Sequence, residues 1–252
     1  MTEGAPLLEL RGVSKVFGAV RALDGVDFTV PDGKVTALAG DNGAGKSVLI
    51  KTVSGLWEPA EGEILWEGSP IHFHSPTDAE ARGITTIYQD LALCDNLDIV
   101  QNMFLGHETM RHGLLDESSM ELAARQTLDD LHVTTVRSIR QPVASLSGGQ
   151  RQSVAVAKAV MQSAKLVIMD EPTAALGVAQ TEMVLELIKR LSSQGTAVIL
   201  ISHNLNDVFE VADIIAVLYL GRMVASGPAE QFDREVVVDY MTSGESTRAA
   251  AG

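Results

Sequence analysis

Aromatic residues make up only 4% of this chain, and cysteine occurs once, at Cys94. A single cysteine excludes an intrachain disulfide and fits a reducing compartment. Basic residues are scarce as well: 19 Lys and Arg against 33 Asp and Glu leave a formal net charge of −14. That balance argues against a nucleic acid partner, because neutralising backbone phosphates takes a basic face. Long apolar runs are missing too. Ile214–Leu220 is the longest near the C-terminal half, far short of the roughly 20 residues that cross a bilayer, so the chain is not expected to span a membrane. Met1-Thr2-Glu3-Gly4 lacks the basic start and apolar run of a secretory signal. What is plentiful is aliphatic material. Hydrophobic residues reach 46% over 252 positions, enough for one domain or for a core with an inserted subdomain.

Pattern along the chain divides it. Leu8–Val13 and Gly25–Val30 read as half-buried strands, and Val35–Ala39 as a central strand ending in glycine. A helix is expected from Gly45 to about Ser54, and Ile84–Tyr88 is another β-branched run. From Gln89 to Met161 the pattern turns helical with no convincing strand; Met120, Ala124, Leu128 and Leu131 share one helical face. Strands return at Leu166–Met169 and Ala197–Ile201, around a helix from Val178 to Gln194. Ile214–Leu220 and Arg222–Ala225, split by Gly221, read as a hairpin. Strands alternating with helices predict a mostly parallel sheet covered on both faces.

Three segments carry chemistry. Gly40-Asp41-Asn42-Gly43-Ala44-Gly45-Lys46-Ser47 lies between a strand and a helix, the context of a Walker A phosphate loop. Its glycines let backbone N–H groups point inward, and the following helix presents its positive dipole end. Lys46 can reach the β- and γ-phosphates, and the Ser47 hydroxyl can ligate Mg²⁺. The strand Leu166–Met169 ends in Asp170-Glu171, where open α/β sheets bind ligands. Asp170 suits the Mg²⁺ shell, and Glu171 can polarise an attacking water. In Leu146-Ser147-Gly148-Gly149-Gln150, Ser147 is an N-cap and the two glycines expose N–H groups to a second phosphate.

With both other motifs flanking it, this last segment resembles the signature of the ATP-binding subunits of ABC transporters. The resemblance runs from about Leu8 to about Gly227. It implies an α/β P-loop NTPase fold with an N-terminal antiparallel β subdomain and an inserted α-helical subdomain: residues 1–88 and 163–240 form the core, 89–162 the insertion, 241–252 a flexible tail. It further implies that Asn42, Gly43, Ala44, Gly45, Lys46, Ser47 and Val48 hold ATP. Ser147, Gly148, Gly149 and Gln150 close on the nucleotide of a facing copy, giving a homodimer with two sandwiched ATP molecules. Phe17 resembles the adenine-stacking aromatic, Gln89 the glutamine that contacts metal and water, and His203 the switch histidine at the γ-phosphate. Mg²⁺ then falls to Ser47, Gln89 and Asp170, and catalysis to Glu171, His203, Gln89 and Lys46.

Gly83–Leu93 and Glu171–Thr181 look like the bacterial importers of ribose, xylose and fructose type. That implies a peripheral subunit at the cytoplasmic face of the inner membrane, bound to membrane-spanning permease subunits through Asn96–Gly106. The same resemblance implies an extracytoplasmic sugar-binding protein as an indirect partner. ABC ATPases for other cargo, or working apart from any transporter, carry the same three motifs; Ala174–Gly177 favours sugar by resemblance alone. Two positions depart from the family. Gly177 stands where an Asp is usual, although sugar importers often share the glycine, and Val48 replaces a Thr. No metal role is set on His72 and His74.

Overall fold

The structure, a computed structural model, describes residues 5–174 and 176–245. The chain opens with β1 (Leu8–Phe17), β2 (Val20–Val30), β3 (Val35–Ala39) and α1 (Lys46–Val53). Next come β4 (Glu61–Trp66), β5 (Ser69–Ile71), α2 (Pro76–Ala81) and β6 (Ile84–Ile87). The insertion holds α3 (Ile99–Phe104), β7 (Met110–Arg111), β8 (Leu114–Leu115), α4 (Glu117–Asp130) and α5 (Gly148–Met161). The chain then runs through β9 (Leu166–Asp170), α6 (Val178–Ser193), β10 (Ala197–Ile201), α7 (Leu205–Val211), β11 (Ile214–Tyr219), β12 (Arg222–Pro228) and α8 (Arg234–Ser243).

Two larger sheets result. One is ordered β12-β11-β3-β10-β9-β6, parallel except for the edge strand β12; the other is the antiparallel β2-β1-β4-β5. All five residues of β3 and of β10 are buried, as helices on both faces of a parallel sheet require. Helix α1 sends Leu49, Ile50 and Val53 into a core shared with Leu10, Phe28 and Ile64 of the antiparallel sheet and with Ile168 and Ile199 of the parallel one. A second core joins the opposite face of the parallel sheet to the insertion; Met120, Ala124, Leu128 and Leu131 are all buried there, as their spacing predicts. A third packs α7 and α8 on β11.

The structure differs from the sequence reading in several places. β1 and β2 are longer than predicted and meet at a tight turn, where Gly18 adopts φ 59. Register shifts along β1 and the polar Ser14, Lys15, Arg21 and Asp24 break the alternation that marks a strand. The insertion is not purely helical, because β7 and β8 form a small antiparallel hairpin. The expected tail begins too early. Met241–Ser243 complete α8, which ends on Gly244 in the left-handed region at φ 76; residues 246–252 lie outside the described residues. Among the described residues no helix is long and apolar enough to cross a membrane.

Candidate functional site

Four groups of the nominated residues follow the C-terminal ends of parallel strands. The Gly40–Gly45 loop follows β3, Asp170-Glu171 ends β9, His203 follows β10, and Gln89 lies exposed two residues beyond β6. Strand order places β10 between β3 and β9 with β6 beyond, so these groups share one edge of the sheet.

The loop owes its path to two glycines. A Cβ on Gly40 would lie 2.5 Å from the Leu218 carbonyl oxygen. One on Gly45, at φ 106, would lie 2.9 Å from the Ala22 carbonyl oxygen. The loop bounds a cavity of about 490 Å³, lined by Asn42 through Val48 together with Val20, Arg21 and Gly221. Lys46 Nζ donates to the carbonyls of Gly40 (2.6 Å) and Asp41 (3.0 Å). Burial pulls the Lys46 ammonium below the usual lysine range, while Glu171, Asp170 and Asp41 oppose the shift. Val48 packs its side chain against the core around α1, which accounts for an aliphatic residue at this position.

At the end of β9 the charges are crowded. Burial first, and then repulsion from Glu171, hold the Asp170 carboxyl above the ordinary aspartate range, against the pull of Lys46. Glu171 has φ 51, a left-handed conformation that costs a non-glycine residue about 1 kcal/mol or more. Two contacts hold it there. Its N–H donates to the Ile201 carbonyl at 2.9 Å, and Oε1 lies 2.8 Å from Nδ1 of His203. The acid is mostly covered and the imidazole exposed.

The signature segment caps α5. Ser147 Oγ accepts from the Gln150 N–H (3.3 Å), and Gln150 Oε1 accepts from the Ser147 N–H (2.9 Å), a reciprocal capping box. Gln150 Nε2 donates to the Thr135 carbonyl at 2.6 Å. The glycines have a second reason beyond exposed N–H groups. A Cβ on Gly148 would come within 2.7 Å of Leu176 Cδ2, and one on Gly149 within 2.6 Å of Met183 Cε. They let α5 seat closely against the start of α6, a contact no local pattern reveals. None of Ser147, Gly148, Gly149 and Gln150 lines the cavity around Lys46.

Phe17 also stands outside that lining. Its cross-strand partner Val20 is part of it, which puts Phe17 at the rim. Gly177 caps α6 at φ −77 and ψ 165. Among the described residues nothing lies within 4 Å of a Cβ built there, so these residues leave room for a side chain.

Sequence reasoning passed over one buried group. Asp207 on α7 accepts from Thr173 Oγ1 at 2.5 Å and from Asn204 Nδ2 at 2.9 Å. It therefore ties the loop after Glu171 to the loop after His203. The Asn204-x-x-Asp207 spacing of a helix start is the one signal that could have found it. Arg21, which lines the cavity and pairs with Asp24 at 3.0 Å, had no signal at all.

Comparison with known proteins places these features in a family. The profile of the ABC transporter family matches residues 23–174. The chain is 48% identical over 244 residues to a fructose import ATP-binding protein of Rhizobium meliloti, covering 94% of each. It is 47% identical over 237 residues to a xylose/arabinose import ATP-binding protein of Sulfolobus acidocaldarius, again covering 94% of each. A ribose import ATP-binding protein of Agrobacterium fabrum is 43% identical over 253 residues, which is 99% of this chain but 49% of that protein. Among solved structures, an ATP-binding cassette of an ABC transporter in its ADP conformation superposes with a TM-score of 0.81 at 25% identity, covering 98% of this chain and 99% of that one.

Proposed function

This chain belongs to the ABC transporter family, and on that premise we propose that it is the ATP-hydrolysing subunit that energises import of a monosaccharide of the fructose, xylose or ribose class. The observation that carries the reading is the meeting of four groups at one sheet edge: the phosphate loop, Asp170, Glu171 and the His203 paired with it. The sugar class rests on the relatives, whose names give fructose, xylose/arabinose and ribose import.

The work of each residue follows from its setting. The N–H groups of Asn42 through Val48, at the positive end of α1, receive the phosphates. Lys46 exchanges its two carbonyl partners for β- and γ-phosphate oxygens. Its burial makes that exchange favourable, since an anion compensates the ammonium better than neutral carbonyls do. Glu171 leaves His203 and accepts a hydrogen bond from the attacking water, raising its nucleophilicity. His203, thereby freed, donates to the γ-phosphate, and Gln89 orients the water. Because the signature residues do not line the Lys46 cavity of their own chain, they act on the nucleotide of a facing copy; the two sites of a homodimer are completed in this way.

The donor set suits Mg²⁺. Two adjoining carboxylates, one of them raised by burial and by its neighbour's charge, are relieved by a divalent cation, and the ion prefers oxygen ligands. Ser47, Asp170 and Gln89 would hold it. Once bound, it would neutralise charge on the β- and γ-phosphates.

A permease is the partner of the other face. A groove of about 390 Å³ runs between core and insertion, lined by Thr77, Glu80, Thr85, Phe104, His107 and Met161 among others. It adjoins the Asn96–Gly106 segment and is the place for a permease helix, with the sugar-binding protein beyond the membrane and this subunit at its cytoplasmic face. The test is Glu171→Gln: it should bind ATP, accumulate as a dimer and hydrolyse little. Wild-type hydrolysis by that variant would remove Glu171 from its role.

A further inference from the structure

The face of Phe17 that a nucleobase would meet is set by a second ring. Phe17 is 41% exposed at the end of β1. The ring of Trp57 meets it in a T-shaped arrangement, with centroids 4.8 Å apart and planes at 70°. That geometry places the electropositive edge of one ring toward the negative face of the other, and it fixes their mutual tilt. Two cations border the pair. Lys15 Nζ lies 5.4 Å from the Phe17 centroid, and Lys51 Nζ lies 4.9 Å from the Trp57 centroid.

One side-chain and one backbone hydrogen bond join the two segments that carry the rings. Lys15 Nζ donates to the Glu58 carbonyl at 2.5 Å, and the Ala60 N–H donates to the Ser14 carbonyl at 2.8 Å. These bonds clip the end of β1 to the segment that carries Trp57. Trp57 is held in turn by α1, since its N–H donates to the Lys51 carbonyl at 3.0 Å. Helix α1 begins at Lys46 of the phosphate loop. One short rigid element therefore bears the phosphate-binding residues at its first turn and the support of the aromatic rim at its end.

We propose that Trp57 is a positioning residue for the nucleobase: it orients Phe17 and couples the base platform to the phosphate loop through α1. This rests on the reading of Phe17 as the adenine-stacking residue, and the test separates the two. ATP and inorganic tripolyphosphate, which has the phosphates but no base, are titrated into wild type, Phe17→Ala, Trp57→Ala, Trp57→Phe and the double alanine variant. Trp57→Ala should weaken ATP binding about three- to tenfold, in the range of an aromatic pair, with kcat at saturating ATP unchanged. Trp57→Phe should keep most of the affinity, tripolyphosphate should bind all variants alike, and the double variant should bind ATP no more weakly than Phe17→Ala. Trp66 is buried, so an ATP-induced change in emission that Trp57→Phe abolishes gives a second readout. If Phe17→Ala weakens ATP and Trp57→Ala does not, the positioning role is wrong. If Trp57→Ala weakens ATP and tripolyphosphate equally, Trp57 merely supports α1 and the proposal falls. If Phe17→Ala itself leaves ATP affinity intact, the adenine reading fails and the proposal goes with it.

Discussion

Asp207→Ala tests whether the loops bearing Glu171 and His203 form one unit. The Asp207 carboxylate is buried and accepts from Thr173 Oγ1 and Asn204 Nδ2. Hydrogen bonds to a charged acceptor contribute about 1.5–3 kcal/mol each. The truncation also leaves a hydroxyl and an amide without their acceptor. Since the two bonds share one group they do not add fully, and a loss of about 3 kcal/mol is expected. For a chain of this length about 2–4 °C of melting temperature accompanies each kcal/mol, so calorimetry should show a drop of roughly 6–12 °C. Asp207→Asn keeps one acceptor oxygen and should lose about half as much. In a double-mutant cycle with Thr173→Val, the second change should cost clearly less than it does alone. ATPase rate should fall in the same variants at temperatures where all remain folded, because the relative placement of Glu171 and His203 relaxes. A melting temperature within 1 °C of wild type, or strictly additive costs, would refute the reasoning.

Three further outcomes are expected. Lys46→Ala should abolish tight ATP binding in a direct titration, because no other side-chain cation lies within the loop. Asp170→Asn should raise the melting temperature near neutral pH while removing activity. Burial and Glu171 raise the Asp170 pKa, so the folded state disfavours the ionised form; the gain should be full above the folded pKa and vanish as pH falls below the ordinary aspartate range, where both states are protonated. Gly177→Asp should leave stability unchanged or raise it by a few tenths of a kcal/mol in denaturant titration, since a Cβ there meets none of the described residues and Asp is a good N-cap.

Legibility followed the scale of the signal. β3, β9 and β10 were readable because a strand buried on both faces is a short, largely apolar run, closed by Gly40 after the first and by Asp170-Glu171 at the second. The segments Gly40–Ser47 and Leu146–Gln150 stood out because the chemistry proposed for them needs fixed residue types at fixed spacing. The small hairpin β7–β8 was not, because all four of its residues are exposed and no alternation is imposed on them. β4 was missed because its first three residues face solvent. The role of Gly148 and Gly149 in seating α5 depends on Leu176 and Met183, some thirty residues away in the chain. Asp207 was hidden for the same reason: its importance lies in Thr173, which only folding brings near.

The backbone of Glu171 has a consequence for how this protein would respond to selection for heat resistance. A glutamate is held at φ 51, a region that suits glycine or asparagine far better. A screen that rewards endurance and ignores turnover would drift toward those residues at this codon, yielding sturdier molecules without the carboxylate proposed to activate water. Persistence of the acid under such a screen would mean that its contact with His203 contributes more to the resting fold than the backbone conformation costs.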